Sequence, residues 1–195
     1  MSTIKTVETE YKNIRYRSRN EARWGVFLDG LGIDFEYEPE GYEMKVGHRT
    51  IRYLPDFFIQ KQAVFDKDLY LEIKPSSNDI IISKYDLSKI DAFSKHKTIT
   101  ILGSLKDYRD DLCSGDGSIA WSKYGLHGPF GSDYGFLFCQ CVECGCYGFE
   151  FNGRSARLDC CEHNKNNQTD HKKYNCYPPT ICYALENALN HRFWK

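Results

Sequence analysis

The segment Leu69-Tyr70-Leu71-Glu72-Ile73-Lys74 constrains this chain more than any other. Side chains on a strand alternate between faces, so Leu69, Leu71 and Ile73 point one way while Tyr70, Glu72 and Lys74 point the other. The apolar face has to be covered by another layer. The opposite face carries a glutamate and a lysine about 7 Å apart along the strand. Burying those two groups costs free energy unless they pair or meet a metal ion and a substrate. A sheet, a covering layer and a reason for two neighbouring charges are therefore all required.

Covering helices are predicted on both sides of this strand. Trp24, Phe27, Leu28 and Leu31 recur at helical spacing, with Gly30 and Gly32 as a stop. Ile33, Phe35 and Tyr37 alternate with acidic residues as a half-buried strand ending at Pro39. Tyr42, Met44 and Val46 lead through the turn Gly47-His48-Arg49 into a run to Ile59, as a hairpin. Residues 80–96 form a helix, residues 98–103 a strand, and a last helix follows Pro179 with Ile181, Leu185, Ala188, Leu189 and Phe193 on one face. This order indicates a mixed α/β layer. The expected organisation is a loose N-terminal arm over 1–16, a core over 17–112, a glycine-rich irregular linker over 113–138, and a cysteine-bearing element with the final helix over 139–195.

No apolar run approaches the roughly 20 residues of a membrane helix, and the first residues lack the apolar stretch of a signal peptide, so a cytoplasmic protein is expected. A net charge of −1 neither demands nor excludes nucleic acid. Arg15, Arg17, Arg19 and Arg23, clustered at the first helix start, are candidate phosphate contacts; a solvated basic turn is the competing account.

The chemistry concentrates on four residues. Asp56, after Pro55, is expected beside Glu72 if its strand neighbours residues 69–74. Two such carboxylates, leaving room for water and a phosphate oxygen, suit Mg²⁺ or Mn²⁺ better than zinc. Such an ion polarises a scissile phosphate and acidifies a water, which Lys74 orients while stabilising the developing charge. Taken singly, Asp56 reads as a turn residue, Glu72 and Lys74 as a surface charge pattern, and Glu21 with Ser18 as a helix capping box. Glu21 also falls on the apolar helix face, where a purely solvated glutamate is less expected.

The order Glu21 on a first helix, Pro55-Asp56, then Glu72-Ile73-Lys74 after fifteen intervening residues resembles the PD-(D/E)XK nuclease superfamily. The likeness runs over roughly residues 16–103, and its segments 16–21, 35–38 and 53–57 are similar to small phage and transposon-type members. It implies a restriction-endonuclease-like mixed β-sheet flanked by helices, and a DNA-cleaving hydrolase of a bacterial or phage-infected cell. By the same resemblance Glu21 helps hold metal or orient the site, Asp56 and Glu72 bind Mg²⁺ or Mn²⁺, and Lys74 assists the attacking water. Cleavage of both strands by one site per chain favours a homodimer.

Eight of the nine cysteines lie between Cys139 and Cys182. With no secretory signal and an odd count, metal binding is the better reading. Cys141-Val142-Glu143-Cys144-Gly145 has the form of a zinc knuckle, and Cys160 with Cys161 or His163 completes the candidate Zn²⁺ set. Cys139 and Cys146 offer a rival register, and His171, Cys176 and Cys182 are further possible ligands. The region resembles zinc ribbons in general but has no second C-x-x-C. A structural role is expected for this ion, in a small zinc-ribbon-like element. A catalytically silent, zinc-stabilised nucleic-acid-binding or assembly module is the alternative function.

Overall fold

The computed structural model describes residues 7–65, 68–74, 84–106, 120–121, 135–141, 144–151, 174–175 and 178–193. It begins where a loose arm was expected. Strands β1 (Thr9–Tyr11) and β2 (Ile14–Tyr16) form an antiparallel hairpin. Both turn residues, Lys12 and Asn13, have positive φ, the geometry that matches strand twist in a two-residue turn. Lys12 Nζ and the Tyr11 hydroxyl anchor the hairpin on Asp29, at 2.6 and 2.8 Å. Tyr16 is fully buried. The expected arm over 1–16 is thus replaced, over 9–16, by a docked hairpin; residues 1–6 lie outside the described residues.

Ser18 caps helix α1 (Arg19–Gly30) by accepting the Glu21 N–H at 3.1 Å. The helix stops at Gly32, whose φ of +68° would strain any residue with a Cβ. Gly32 N–H reaches Asp29 O and Ile33 N–H reaches Leu28 O, both at 3.0 Å, the paired bonds that satisfy a helix C-terminus. Gly30 therefore belongs to the helix rather than to its stop. It serves a close approach: a Cβ there would stand 3.3 Å from the Ala184 Cβ of helix α3 (Pro179–Asn190).

Strands β3 (Glu36–Tyr37), β6 (Phe57–Ile59), β7 (Leu69–Ile73) and β8 (Ile99–Leu102) form one half of an eight-stranded sheet among the described residues. β7 pairs antiparallel with β6 and parallel with β8, and helix α2 (Lys84–Ser94) lies between β7 and β8 in sequence. The run from Tyr42 to Ile59 does not form one hairpin in this sheet. β4 (Tyr42–Val46) and β5 (Arg49–Tyr53) make a separate two-stranded sheet turning at Gly47, and β6 starts afresh after Pro55-Asp56. The strand expected over 33–38 contracts to β3.

The other half of the sheet consists of β9 (Ala120–Trp121), β10 (Gly135–Cys141), β11 (Tyr147–Phe151) and β12 (Tyr174–Asn175). Described parts of the expected linker and cysteine element therefore continue the sheet of β3, β6, β7 and β8 instead of standing apart from it. The cores agree. Leu69, Leu71 and Ile73 join one cluster with Trp24, Phe27 and Leu28 of α1, Phe138 of β10, and Ile181, Leu185 and Ala188 of α3. Tyr70, on the opposite face, joins a second with Tyr53, Ile90, Phe93, Ile99 and Ile101. The molecule is mixed α/β, and no helix among the described residues is long and apolar enough to cross a membrane.

Candidate active site

Asp56 precedes β6, and its main chain extends the ladder one step: Asp56 N–H donates to Leu71 O at 3.1 Å. Its side chain then takes the next rung itself, as Oδ2 accepts the Ile73 N–H at 2.6 Å. A carboxylate thus ends up beside Glu72 because it substitutes for a backbone carbonyl where β6 has not yet begun. Glu72 Oε1 accepts Lys74 Nζ at 2.6 Å, and Oε2 accepts the Tyr53 hydroxyl at 2.7 Å. Strand parity placed the lysine and glutamate on one face, and they meet there.

Glu21 arrives from the start of α1, which Asn20 ties to the end of β7 by donating to Lys74 O at 3.0 Å. The capping-box and site readings of Glu21 turn out to be compatible. Oε1 accepts the Ser18 hydroxyl at 2.7 Å, while Oε2 accepts the Tyr37 hydroxyl at 2.5 Å and the Arg17 N–H at 3.2 Å. Glu21, Asp56 and Glu72 are all buried, at 8, 3 and 8 % exposure, which is rare for carboxylates unless they are paired.

Arg17 links them. Its guanidinium bonds Asp56 Oδ1, stands 2.7 Å from Glu38 Oε1, and lies 4.0 Å from Glu21 Oε2. Glu38 faces the site from a left-handed backbone (φ 47°), with its N–H donated to Asp56 O at 2.8 Å. A non-glycine residue held there stores strain, which is often found at functional sites. Tyr37 and Tyr53 are site residues that the sequence pattern did not single out. For Tyr53 the signal was present, since it shares the Ile51 parity on β5.

The electrostatics are unbalanced. Glu21, Glu38, Asp56 and Glu72 face Arg17 and Lys74, so four carboxylates meet two cations and full ionisation leaves two negative charges in excess. Burial, then Glu72, pushes the Asp56 carboxyl up to about 7, although the Ile73 N–H and Arg17 pull it down. Burial and the Glu72 carboxylate likewise hold the Tyr53 hydroxyl protonated well above its ordinary range, so it remains a donor to Glu72. Burial works to lower the Arg17 pKa, but Asp56, Tyr37 and Glu38 outweigh it.

Among the described residues no group of three or more His, Cys, Asp or Glu stands in an arrangement that could hold a metal ion. The carboxylate oxygens of the site are bonded instead to Arg17, Lys74, Tyr53 and the Ile73 N–H. The donor set nevertheless suits a hard divalent cation, being all oxygen, buried, and short of positive charge.

The four arginines do not form one patch. Arg15 pairs with Glu8, Arg17 enters the site, and only Arg19 and Arg23 remain together on α1. There burial and the Arg19 charge lower the Arg23 pKa, and Arg23 Nε is buried without a hydrogen-bond partner.

In the cysteine region, Cys141 ends β10 and Cys144 lies in the following turn. The Gly145 N–H reaches Cys141 O at 2.9 Å, the Cys141 N–H reaches Cys146 O at 2.8 Å, and Gly145 has φ +74°. These bonds hold Gly145 and Cys146 against Cys141 at the end of β10. Cys146 Sγ lies 3.4 Å from Ala63 O and donates to it. Cys160, Cys161, His163, His171 and Cys176 lie outside the described residues, and Cys182 sits exposed on α3.

No family model, no curated protein and no solved structure matches this chain.

Proposed function

We propose that this protein is a metal-dependent nuclease of the PD-(D/E)XK kind, hydrolysing phosphodiester bonds in DNA. The observation that carries this reading is the meeting of Asp56, Glu72 and Lys74 at the carboxyl end of β7, with Glu21 and Glu38 joined to them through Arg17. Asp56 and Glu72 would hold Mg²⁺ or Mn²⁺, which when bound polarises the phosphate and acidifies a water. Lys74, kept at the Glu72 carboxylate, supplies the positive charge that orients the attacking water and offsets charge developing on the phosphate. Tyr53 fixes the other Glu72 oxygen, so the carboxylate cannot rotate away from the lysine. Glu21, tied to Ser18 and Tyr37, holds the start of α1 against this site.

On the same reading the fold is restriction-endonuclease-like, and two chains pair to cut both strands. Cys141 and Cys144 hold a structural Zn²⁺ with Cys160 and either Cys161 or His163, and metal analysis should find about one zinc per chain. A catalytically silent nucleic-acid-binding module is the second reading, favoured by the occupation of Asp56 by Arg17.

The test is to incubate linear, supercoiled, single-stranded and branched DNA with the protein, with Mg²⁺, with Mn²⁺ and with neither. Cleavage should need the ion, and Lys74→Ala should lower it about 10³-fold, as loss of one charge-stabilising donor does elsewhere. Equal inertness of wild type and variant, with DNA binding retained by both, would favour the silent module.

A further inference from the structure

We infer that Arg17 is a resident counter-ion of the carboxylate cluster: a divalent cation displaces its guanidinium from Asp56, and the released guanidinium turns to a phosphate of the substrate. This rests on the nuclease reading above. It adds an order of events, cation first and nucleic acid second, and a second function for a residue that otherwise only neutralises charge.

One oxygen of the cluster can exchange its partner for a cation at least cost to the fold. Asp56 Oδ2 is committed to the Ile73 N–H in the buried interior, at 2.6 Å. Glu72 is held by Lys74 on one oxygen and by Tyr53 on the other. The Asp56 oxygen that can change partner without breaking a backbone bond is Oδ1, where Arg17 sits. The Arg17 side chain is 53 % exposed and that of Asp56 only 4 %, so the guanidinium covers the carboxylate from the solvent side.

Arg17 is built to swing and remain nearby. Its main chain is fixed, because its N–H reaches both the Tyr37 hydroxyl at 2.9 Å and Glu21 Oε2 at 3.2 Å. Its guanidinium keeps a second carboxylate, Glu38, 2.7 Å away and more exposed than Asp56. Exchanging one positive charge for two at Asp56 also moves the cluster towards neutrality. A planar guanidinium released at the mouth of the site matches phosphate oxygens in a way that an ammonium does not.

Two measurements test this on the whole chain at mildly alkaline pH. In wild type, the Arg17 Nε–H resonance should shift on titration with Mg²⁺ and saturate with the binding isotherm; a resonance unmoved at saturating Mg²⁺ overturns the inference without requiring any variant. By calorimetry, Arg17→Met should bind Mn²⁺ about tenfold more tightly than wild type because its competitor is gone, a typical coupling between two ligands of one site. Arg17→Lys should fall between them. With Ca²⁺ present, Arg17→Met should bind duplex DNA about tenfold more weakly. A folded Arg17→Met whose Mn²⁺ affinity equals or falls below that of wild type defeats the counter-ion role while leaving the nuclease reading intact if wild type cleaves. Mn²⁺ binding that survives Asp56→Asn unchanged removes the cation site, and with it both readings.

Discussion

The two faces of β7 solve different problems with the same five backbone positions. On one, Leu69, Leu71 and Ile73 are packed beneath α1 and α3, and only volume and hydrophobicity matter. On the other, Tyr70 belongs to a cluster of aromatic rings while Glu72, one step further along, has each oxygen assigned to a named donor. The first face holds the fold and tolerates substitutes of similar size. The second sustains buried charge at a cost in stability, and its residues are not exchangeable. Separating stability from chemistry by one residue in sequence is what strand parity makes available.

That contrast is breakable. The largest effect should come from Lys74→Ala, with cleavage down about 10³-fold, equivalent to roughly 4 kcal/mol of barrier. Leu71→Ala should instead cost about 2–5 kcal/mol of stability in denaturant titrations and leave cleavage per folded molecule within a few-fold of wild type. If Leu71→Ala loses cleavage per folded molecule as Lys74→Ala does, the two faces are not separate.

The polar face should also have its own pH signature. The folded Asp56 carboxyl lies at about 7 against an ordinary 3.8, so between those values the folded state keeps a proton that the unfolded chain has released. Stability in the absence of divalent cations should therefore fall as pH rises through that window and level off above it, with a slope approaching about 1.4 kcal/mol per unit. Asp56→Asn should flatten the slope. Leu71→Ala should lower the whole curve without altering its shape, and melts at a series of pH values distinguish the two.

Smaller effects sharpen the apolar side. A Cβ on Gly25 would sit 2.4 Å from the Tyr16 hydroxyl, which is buried without a hydrogen-bond partner. Gly25→Ala should cost about 1–3 kcal/mol. Tyr16→Phe in the same chain should recover part of that loss, because the oxygen is removed while the ring carbon 2.9 Å from the added Cβ remains. No recovery in denaturant titrations would place the strain in the ring and the α1 backbone rather than in the hydroxyl. The smallest change, Ser18→Ala, should cost about 1 kcal/mol as a lost cap. It should also reduce cleavage slightly more than stability alone explains, since Ser18 holds Glu21 Oε1 as well.

What the sequence displayed was whatever is written in local periodicity. Strand parity at Glu72 and Lys74, the helical spacing from Trp24 to Leu31, and the cap at Ser18 are all satisfied by neighbours close in sequence, and all three recur in the structure. Asp56 was legible as a neighbour of Glu72 through an expected strand pairing. Its capture of the Ile73 N–H depends on a partner seventeen positions away. Tyr37 was legible only as a half-buried strand position, and the left-handed backbone of Glu38 that turns its side chain to Arg17 leaves no trace in strand alternation. The N-terminal hairpin was missed because three-residue strands are too short to show alternation. The continuation of the sheet into β9, β10 and β11 was missed because non-local pairing has no signature in composition. Among the cysteines, the turn at Gly145 was legible from its glycine.

Helix α3 has a consequence for when, as well as how, this molecule becomes competent. It packs on α1 at Gly30 and completes the cover over Leu69, Leu71 and Ile73, yet it spans residues 179–190 while Lys74 is made far earlier. At a synthesis rate of ~5–20 residues per second, α1 and β7 would wait on the order of ten seconds for that partner. A nascent chain would thus carry Glu21, Asp56, Glu72 and Lys74 without the platform that aligns them. The cutting activity proposed here would switch on only after α3 has left the ribosome.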